Sequence, residues 1–174
     1  MDTMMPLPHR VLPTLLSMLP LCAGAQAIPT EAGAGRASPP SAVASPQVVP
    51  LDEAARATLE RHDVAFDDHG TTRRCEGVSL AALLQASGAM PVAPLRGGDL
   101  TRYVLVSARD GYRALISLAE LDPTLGGRTL LLADRCDGRP LDAAHGPLRL
   151  VIAGDTRAAR SVRQVERIVV VAAP

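Results

Sequence analysis

The sequence predicts an α+β fold, a single β-rich domain with a few short helices. Several short apolar runs, separated by turn residues, have the length and composition of β-strands. Two of these runs flank Asp110-Gly111, an Asp-Gly pair that is typical of a tight hairpin turn. Between the strands, Ser79 and Ser117 stand where helix-capping residues are expected. Short strands with small helices between them favour an α+β domain.

The first 27 residues have the pattern of a secretory signal peptide. His9 and Arg10 precede an apolar stretch at residues 11–22, and Ala25-Gln26-Ala27 forms a small-x-small cleavage site. The stretch is too short to span a bilayer, and two prolines interrupt it. We therefore expect a periplasmic or secreted protein with no stable membrane span after cleavage.

Residues 28–50 are rich in Ala, Gly, Ser and Pro and show no hydrophobic period. A segment of this composition buries too little apolar surface to offset its ordering entropy, so we predict a flexible linker. The folded domain is then residues 51–174, a normal size for one domain.

Three helical patterns occur in this predicted domain. Residues 51–62 place apolar side chains near helical spacing and form either a short amphipathic helix or an irregular entry segment. Residues 79–87 are a stronger candidate, because Ser79 can cap the free N–H groups and Gly88 can end the helix. Ser117 and Glu120 form a capping-box pattern that opens a third, short helix.

The predicted strands alternate with turns and loops of Gly, Pro and Asp. Turns are expected at residues 67–70 and at Asp137-Gly138, and a loop at residues 91–100. The predicted strands are residues 64–66, 103–107, 112–116, 129–133, 148–153 and 165–171.

Charge and cysteine content narrow the function classes. The chain carries 18 basic and 18 acidic residues, so its charge gives no indication of nucleic-acid binding. Every basic residue other than histidine is an arginine, so an anion site here must use guanidinium forks, which suit phosphate. No CxxC, CxxCH or HExxH motif is present to indicate haem or zinc.

Two cysteines follow the predicted cleavage site, Cys75 and Cys136. In an oxidising compartment they can form a disulfide, which would stabilise the fold by roughly 4 kcal/mol on the chain-entropy model. The alternative is two unpaired thiols, and the sequence does not decide between the two.

Five short motifs follow one another between residues 77 and 163. They are G-V-S-L at residues 77–80, D-G-Y at 110–112, D-G-R-P-L at 137–141, H-G-P-L-R at 145–149 and A-R-S-V-R at 159–163. These motifs resemble those of the molybdopterin-binding domain of the sulfite oxidase family, which read G-V-P-L, D-G-Y, N-G with P-L, H-G-x-P-x-R and G-x-R-S-V-K-W. The likeness covers about residues 75–170 and implies the fold of that family.

The resemblance also implies a cofactor pocket. Molybdopterin carries a phosphate and a polar ring, so its binding needs convergent donors. Arg157 and Arg160 add positive charge to the loop at residues 155–161, which we interpret as an anion cradle. The residues that match the cofactor contacts of the family are His145, Arg149, Ser161, Val162 and Arg163.

Four departures from the family pattern bear on catalysis. The stretch that matches the family's molybdenum-ligating cysteine segment, residues 64–72, contains no cysteine, and Cys75 is too close to Gly77 to be that ligand. The long N-terminal region of the family has no counterpart in these 174 residues. The H-G-x-P motif lacks one residue, and Lys-Trp is replaced by Arg163-Gln164. We therefore expect no catalytic residue and no metal ligand, although Asp67, Asp68 or His69 can in principle offer oxygen or nitrogen.

Three functional interpretations remain open at this level. One is a periplasmic molybdopterin-binding oxidoreductase, or a subunit of one, with a redox partner protein. The second is a non-catalytic binding or interaction module that keeps the fold and binds no molybdenum cofactor, and the third is a pocket for a different small anionic ligand. At the residue level, Arg149 can instead pair with an aspartate, and His145 can be an ordinary loop residue.

Overall fold

The chain forms two antiparallel sheets that share one apolar core. The structure is a computed structural model and describes residues 45–174. The predicted signal peptide and most of the predicted linker lie outside these residues. Within residues 45–174, no helix has the length and apolar character needed to cross a membrane.

Nine strands and three short α-helices make up the described part of the chain, with 3-10 turns at Gly97–Thr101 and Ala158–Arg160. In chain order the elements are β1 (Gln47–Val49), α1 (Glu53–Ala57), β2 (Arg61–Asp68), β3 (Thr71–Ser79), α2 (Leu80–Ala86), β4 (Arg102–Ala108), β5 (Arg113–Ser117), α3 (Leu118–Leu121), β6 (Leu130–Cys136), β7 (Arg139–Pro140), β8 (Arg149–Ile152) and β9 (Val165–Ala172).

The two sheets differ in how their strands are ordered. The first sheet has four strands in the order β1-β9-β4-β5. The second has five strands, in which β2, β3 and β6 are neighbours and both β7 and β8 pair with β6. Antiparallel pairing throughout, with short helices between strands, confirms the predicted α+β class.

Strand β8 and the first four residues of β6 are buried on both faces. Leu132 and Leu150 belong to the main core, together with apolar residues of the first sheet and of α2. Ala133 and Val151 point the other way, into a smaller cluster that contains Phe66. Because both faces are covered, the residues of β8 read as a continuous buried run and not as an alternating one.

The local helix signals are confirmed. Ser79 caps α2 by accepting a hydrogen bond from the amide of Ala82, and Gly88 follows the helix with a positive φ of 70°. Ser117 and Glu120 form the predicted capping box at the start of α3. The predicted helix at residues 51–62 is much shorter, because β2 begins at Arg61 and pairs along its whole length with β3.

Three strands lie where no strand was predicted: β1, β3 and the two-residue β7. Strand β1 lies inside the predicted linker, so the linker prediction is wrong for residues 47–49: these residues pair with β9, and Val49 packs into the main core. Strand β3 begins with four polar residues, Thr71 to Arg74, and a bulge after Glu76 interrupts its alternation, so its pattern is hidden in the sequence.

A disulfide joins the two central strands of the second sheet. Cys75 of β3 and Cys136 of β6 are directly opposite one another, with their Cα atoms 4.0 Å apart. The structure therefore pairs the two cysteines that the sequence left open, and both lie in the smaller apolar cluster with Phe66.

Gly77 is required where β3 passes closest to β6. A Cβ atom at this position would overlap the carbonyl oxygen of Leu132 and lie only 2.6 Å from the Cα atom of Ala133. The glycine at the start of the G-V-S-L motif therefore lets two backbones approach each other beside the bulge.

We predict that Gly77→Ala lowers the free energy of unfolding by about 1–3 kcal/mol or more, because the added methyl group forces β3 and β6 apart. Urea unfolding followed by circular dichroism measures the change. Gly98→Ala is the matched control, since nothing lies within 4 Å of a Cβ at Gly98. Equal unfolding midpoints for the two variants would contradict this account of Gly77.

Candidate functional site

Arg149 begins strand β8 and is one of the most deeply buried residues of the protein. It lies opposite Ala133 of β6, and strand alternation places its side chain on the same face as Val151. Only 2 % of the residue is exposed. A guanidinium buried to this extent must be paired with an anion or with convergent acceptors.

Asp68 supplies the anion. Its two carboxylate oxygens accept hydrogen bonds from Nη1 and Nη2 of Arg149 at 2.9 and 2.8 Å, a bidentate fork. Asp68 is the last residue of β2, and Phe66, two residues earlier on the same face, places its ring 4.9 Å from the Arg149 guanidinium carbon. The β2–β3 hairpin thus covers Arg149 with both a carboxylate and an aromatic ring.

The ion pair changes the acidity of Asp68. The hydrogen bonds from Arg149 lower the pKa of Asp68 below its ordinary value, although burial of the carboxyl group acts in the opposite direction. Arg73 of β3 adds a second, weaker contact, with its Nε 3.4 Å from a carboxylate oxygen of Asp68. Asp68 is therefore ionised and shared between two arginines.

A cavity of about 200 Å³ opens beside this pair. It lies between the hairpin tip and the segment that contains the Ala158–Arg160 turn. Tyr112 borders it and donates a hydrogen bond from its hydroxyl group to the carbonyl oxygen of Ala159 at 2.5 Å. The polar side chains around the cavity are His69, Asp110, Tyr112, Arg149, Ser161 and Arg163.

Arg149, which lines this cavity, has one donor without a partner. Its Nε is buried and makes no hydrogen bond within residues 45–174, although both terminal nitrogens of the same side chain are bonded to Asp68. Arg163 takes part in none of the ion pairs formed by the described residues. The cavity is therefore lined by an arginine with an unused donor and by a second arginine that no carboxylate of the described residues neutralises.

The matched S-V-R triplet reaches the cavity through strand-like alternation. Ser161 and Arg163 line it, whereas the side chain of Val162 points into the main apolar core. The triplet is held beside β8, because the amide of Leu150 donates to the carbonyl of Val162 at 2.8 Å and the amide of Ile152 donates to Oγ of Ser161 at 3.2 Å. Val162 thus acts as an anchor for its two neighbours.

His145 does not join this group. It lines a separate cavity of about 500 Å³ together with Cys136 and Arg73. Its Nδ1 lies 2.7 Å from a carboxylate oxygen of Asp142, and this hydrogen bond lowers the pKa of Asp142. Of the five matched residues, the structure brings together Arg149, Ser161 and Arg163, with Val162 behind them and His145 elsewhere.

In the predicted anion cradle at residues 155–161, Arg160 is neutralised from within, whereas Arg157 takes part in none of the ion pairs of the described residues. Arg160 is bonded to both Asp155 and Glu120, and Arg128 contacts the same two carboxylates. The hydrogen bond from Arg160 is the main cause of the lowered pKa of Asp155. Arg160 therefore stabilises the loop as part of a four-residue ion network.

Sequence reasoning missed the two residues that define the site, Asp68 and Phe66. The sequence pattern placed Asp68 in a turn and among the residues that can in principle offer a metal ligand. The structure shows that Asp68 is the final residue of β2. The possibility that Arg149 simply pairs with an aspartate is confirmed. Alternation of Phe66 and Asp68 before the His69-Gly70 turn was the available signal.

The residues present do not fit the molybdenum–pterin group that the resemblance implies. Cys75 and Cys136, the cysteines of the described part, are bonded to each other, so neither offers a thiolate to a metal. The cavity is smaller than the 300–1,000 Å³ or so that is usual for organic ligands. The donors of Arg149 and Arg163 suit a small anion better than a pterin ring.

We predict that Asp68→Asn destabilises the protein by about 3–5 kcal/mol at neutral pH, because it leaves the buried guanidinium of Arg149 without its anion. The difference in unfolding free energy between wild type and variant should shrink with acid. Since the folded-state pKa of Asp68 is lowered, its contribution is complete above the unfolded value near 3.9 and is lost as the pH falls below that value towards the folded pKa.

Urea unfolding of both proteins between pH 7 and pH 2 measures this difference. Asp63→Asn is the matched control on the same strand, since the Asp63–Arg74 pair is largely exposed and should contribute less than about 1 kcal/mol. A gap between wild type and Asp68→Asn that stays constant down to pH 2 would contradict the assignment.

The fold and the matched motifs together identify the family. The family model described as "Oxidoreductase molybdopterin binding domain" matches residues 56–174, more than two thirds of the chain. No curated protein matches the chain. The family match confirms the resemblance that the five motifs indicated and extends it towards the N-terminus, through β2 to the end of α1. The chain therefore belongs to the oxidoreductase molybdopterin-binding domain family.

Proposed function

We propose that this protein is an exported, non-catalytic member of its family, a binding module that keeps the molybdopterin-domain fold without holding molybdenum. The ligand site of this module is the cavity beside Arg149. The lack of molybdenum and the position of the ligand site are both argued from side chains within residues 45–174.

The pairing of Cys75 with Cys136 is the observation that carries the proposal. Molybdenum centres of this family depend on a protein thiolate, which is a soft ligand that binds the metal strongly. A cysteine in a disulfide cannot supply that thiolate. Cys136 also borders the His145 cavity and not the Arg149 cavity, so even a reduced Cys136 lies at a different site.

The Arg149–Asp68 pair supports the same conclusion. In a cofactor pocket the arginine fork must be free to bind an oxyanion. Here both terminal nitrogens of Arg149 are satisfied by a carboxylate of the same chain. The fork is therefore occupied by a carboxylate of the protein itself, and an oxyanion of any ligand must displace Asp68 to use both terminal nitrogens.

Export is supported by two independent features. Residues 1–27 have the charge, apolar stretch and cleavage site of a signal peptide. The Cys75–Cys136 disulfide is of a kind that persists in oxidising compartments and is rare in the cytosol.

We expect the protein purified from cells that synthesise molybdenum cofactor to contain far less than one molybdenum or one pterin per chain. Elemental analysis by mass spectrometry and the fluorescence of oxidised pterin measure the two components. A stoichiometric metal or pterin content would overturn the proposed function.

The same measurement on protein purified under reducing conditions is a necessary control. If Cys75 or Cys136 were a latent metal ligand, reduction of the disulfide would allow molybdenum to load. Cys75→Ser, which leaves Cys136 free, should remain as metal-free as the wild type. Metal in the variant alone would show that the disulfide hides a ligand.

We expect the exported protein to begin at Ile28, because Ala25 and Ala27 form the small-residue pair that signal peptidase recognises. Intact mass of the protein recovered from the periplasm or medium measures the new terminus. Ala27→Arg should block processing and leave the precursor uncleaved. A full-length, cytosolic wild-type protein would contradict export.

A further inference from the structure

We propose that Asp68 is a built-in competitor for an oxyanion of phosphate or sulfate size, which binds Arg149 when the Asp68 carboxylate moves away. This inference rests on the proposed function, because it takes the Arg149 cavity as the ligand site of the module. It adds the chemical class of the ligand and the device that controls access.

Arg149, which lines the cavity, has a donor that an anion can use. Arg149 is almost fully buried, and its Nε lacks a hydrogen-bond partner within the described residues. Buried N–H donors are nearly always satisfied in folded proteins, so an unsatisfied donor beside a cavity marks a place where an acceptor can bind. An oxyanion can accept from this nitrogen and from a terminal nitrogen of the same guanidinium at once.

The walls of the cavity supply further donors. Arg163 contributes a cation that forms no ion pair within residues 45–174, and Ser161 contributes a hydroxyl group. Oγ of Ser161 accepts a hydrogen bond from the Ile152 amide, which leaves its proton free to be donated. Two guanidinium groups and a hydroxyl group around a small space match the acceptors of a tetrahedral oxyanion.

Asp68 already shows how such a ligand binds. Its carboxylate presents two oxygens to Nη1 and Nη2 of Arg149, which is the arrangement that phosphate and sulfate oxygens adopt on an arginine fork. The Asp68 side chain therefore occupies the two terminal nitrogens of Arg149 and satisfies its charge, while the buried Nε keeps no partner within residues 45–174. A free oxyanion must compete with this internal carboxylate for the same guanidinium.

The β2–β3 hairpin offers the Asp68 carboxylate a second cationic partner. Asp68 is the last residue of β2, and the following turn residues, His69 and Gly70, have positive φ values of 57° and 86°. Arg73, across the hairpin, already lies 3.4 Å from the same carboxylate. A rotation of the Asp68 side chain can exchange Arg149 for Arg73, so the carboxylate keeps a cationic partner while the fork becomes available.

The test compares two variants that remove one negative charge each from the surroundings of the cavity. Asp68→Asn weakens the competitor. Asp110→Asn is the matched control, because Asp110 lines the cavity but makes no contact with Arg149 among the described residues; its carboxylate accepts from the Tyr112 amide. Titration calorimetry with inorganic phosphate and with sulfate measures the dissociation constant for wild type and both variants.

We expect Asp68→Asn to bind these anions with a Kd about tenfold or more below that of the wild type, as expected when a competing charge-assisted hydrogen bond is removed. Asp110→Asn should change Kd by no more than about twofold to threefold, the effect of one screened charge. Adding Arg163→Gln to the Asp68→Asn background should weaken the binding again. A phosphate monoester that binds more tightly than inorganic phosphate would identify an organic phosphate as the natural source of the oxyanion, and equal affinities would identify the free anion.

Thermal unfolding gives a second readout, which also applies to a variant that folds only when an anion is present. An anion that binds the native state must stabilise it. Phosphate at constant ionic strength should therefore raise the Tm of Asp68→Ala by more than that of the wild type or of Asp110→Ala. If Asp68→Ala folds only in phosphate, that rescue supports the competitor. Equal behaviour in phosphate and in chloride overturns it.

The outcomes for this inference and for the proposed function are distinguishable. Kd values for Asp68→Asn no lower than those for Asp110→Asn would overturn the competitor role of Asp68 while leaving a metal-free binding module intact. Stoichiometric molybdenum in the same wild-type preparation would overturn the proposed function itself, whatever the anion titrations show.

Discussion

The buried guanidinium of Arg149 is the constraint on which the outer face of the five-stranded sheet depends. Its charge must be matched inside the protein, and Asp68 and Phe66 together satisfy and cover it. These two residues lie two positions apart on β2, so a shift of one residue in register would turn both away from Arg149. The Cys75–Cys136 bond holds β3 to β6 and thereby fixes the hairpin that carries them.

The same interaction determines what the site can do. With Asp68 in place, Arg149 is neutralised, and the remaining space is bounded by Ser161 and Arg163. A family member whose arginine fork is satisfied by its own chain is self-sufficient as a fold. On the proposed function, the role of this site is a competition between the internal carboxylate of Asp68 and an external anion for Arg149.

Local patterns in the sequence were good predictors wherever the chain folds on itself over a short distance. The cap of α2, the capping box of α3 and the Asp-Gly hairpin between β4 and β5 all depend on residues within a few positions of each other. Strands β1 and β3 were not predicted, because local sequence patterns do not reveal the pairing that forms them. Strand β1 exists through pairing with β9, and β3 has a polar first half and a bulge that hides its buried face.

The sequence by itself determined the family, the capped helices, the tight turns and the set of residues from which a site can be built. Only the tertiary structure decided which of those residues meet. Asp68 and Arg149 are 81 positions apart, and their contact depends on the pairing of β2 with β3, β3 with β6 and β6 with β8. His145 precedes Arg149 by four positions yet lines another cavity, because it lies in the turn before β8 while Arg149 points from the strand itself. Motifs record which residues are present, whereas strand register and burial decide which side chains share a face.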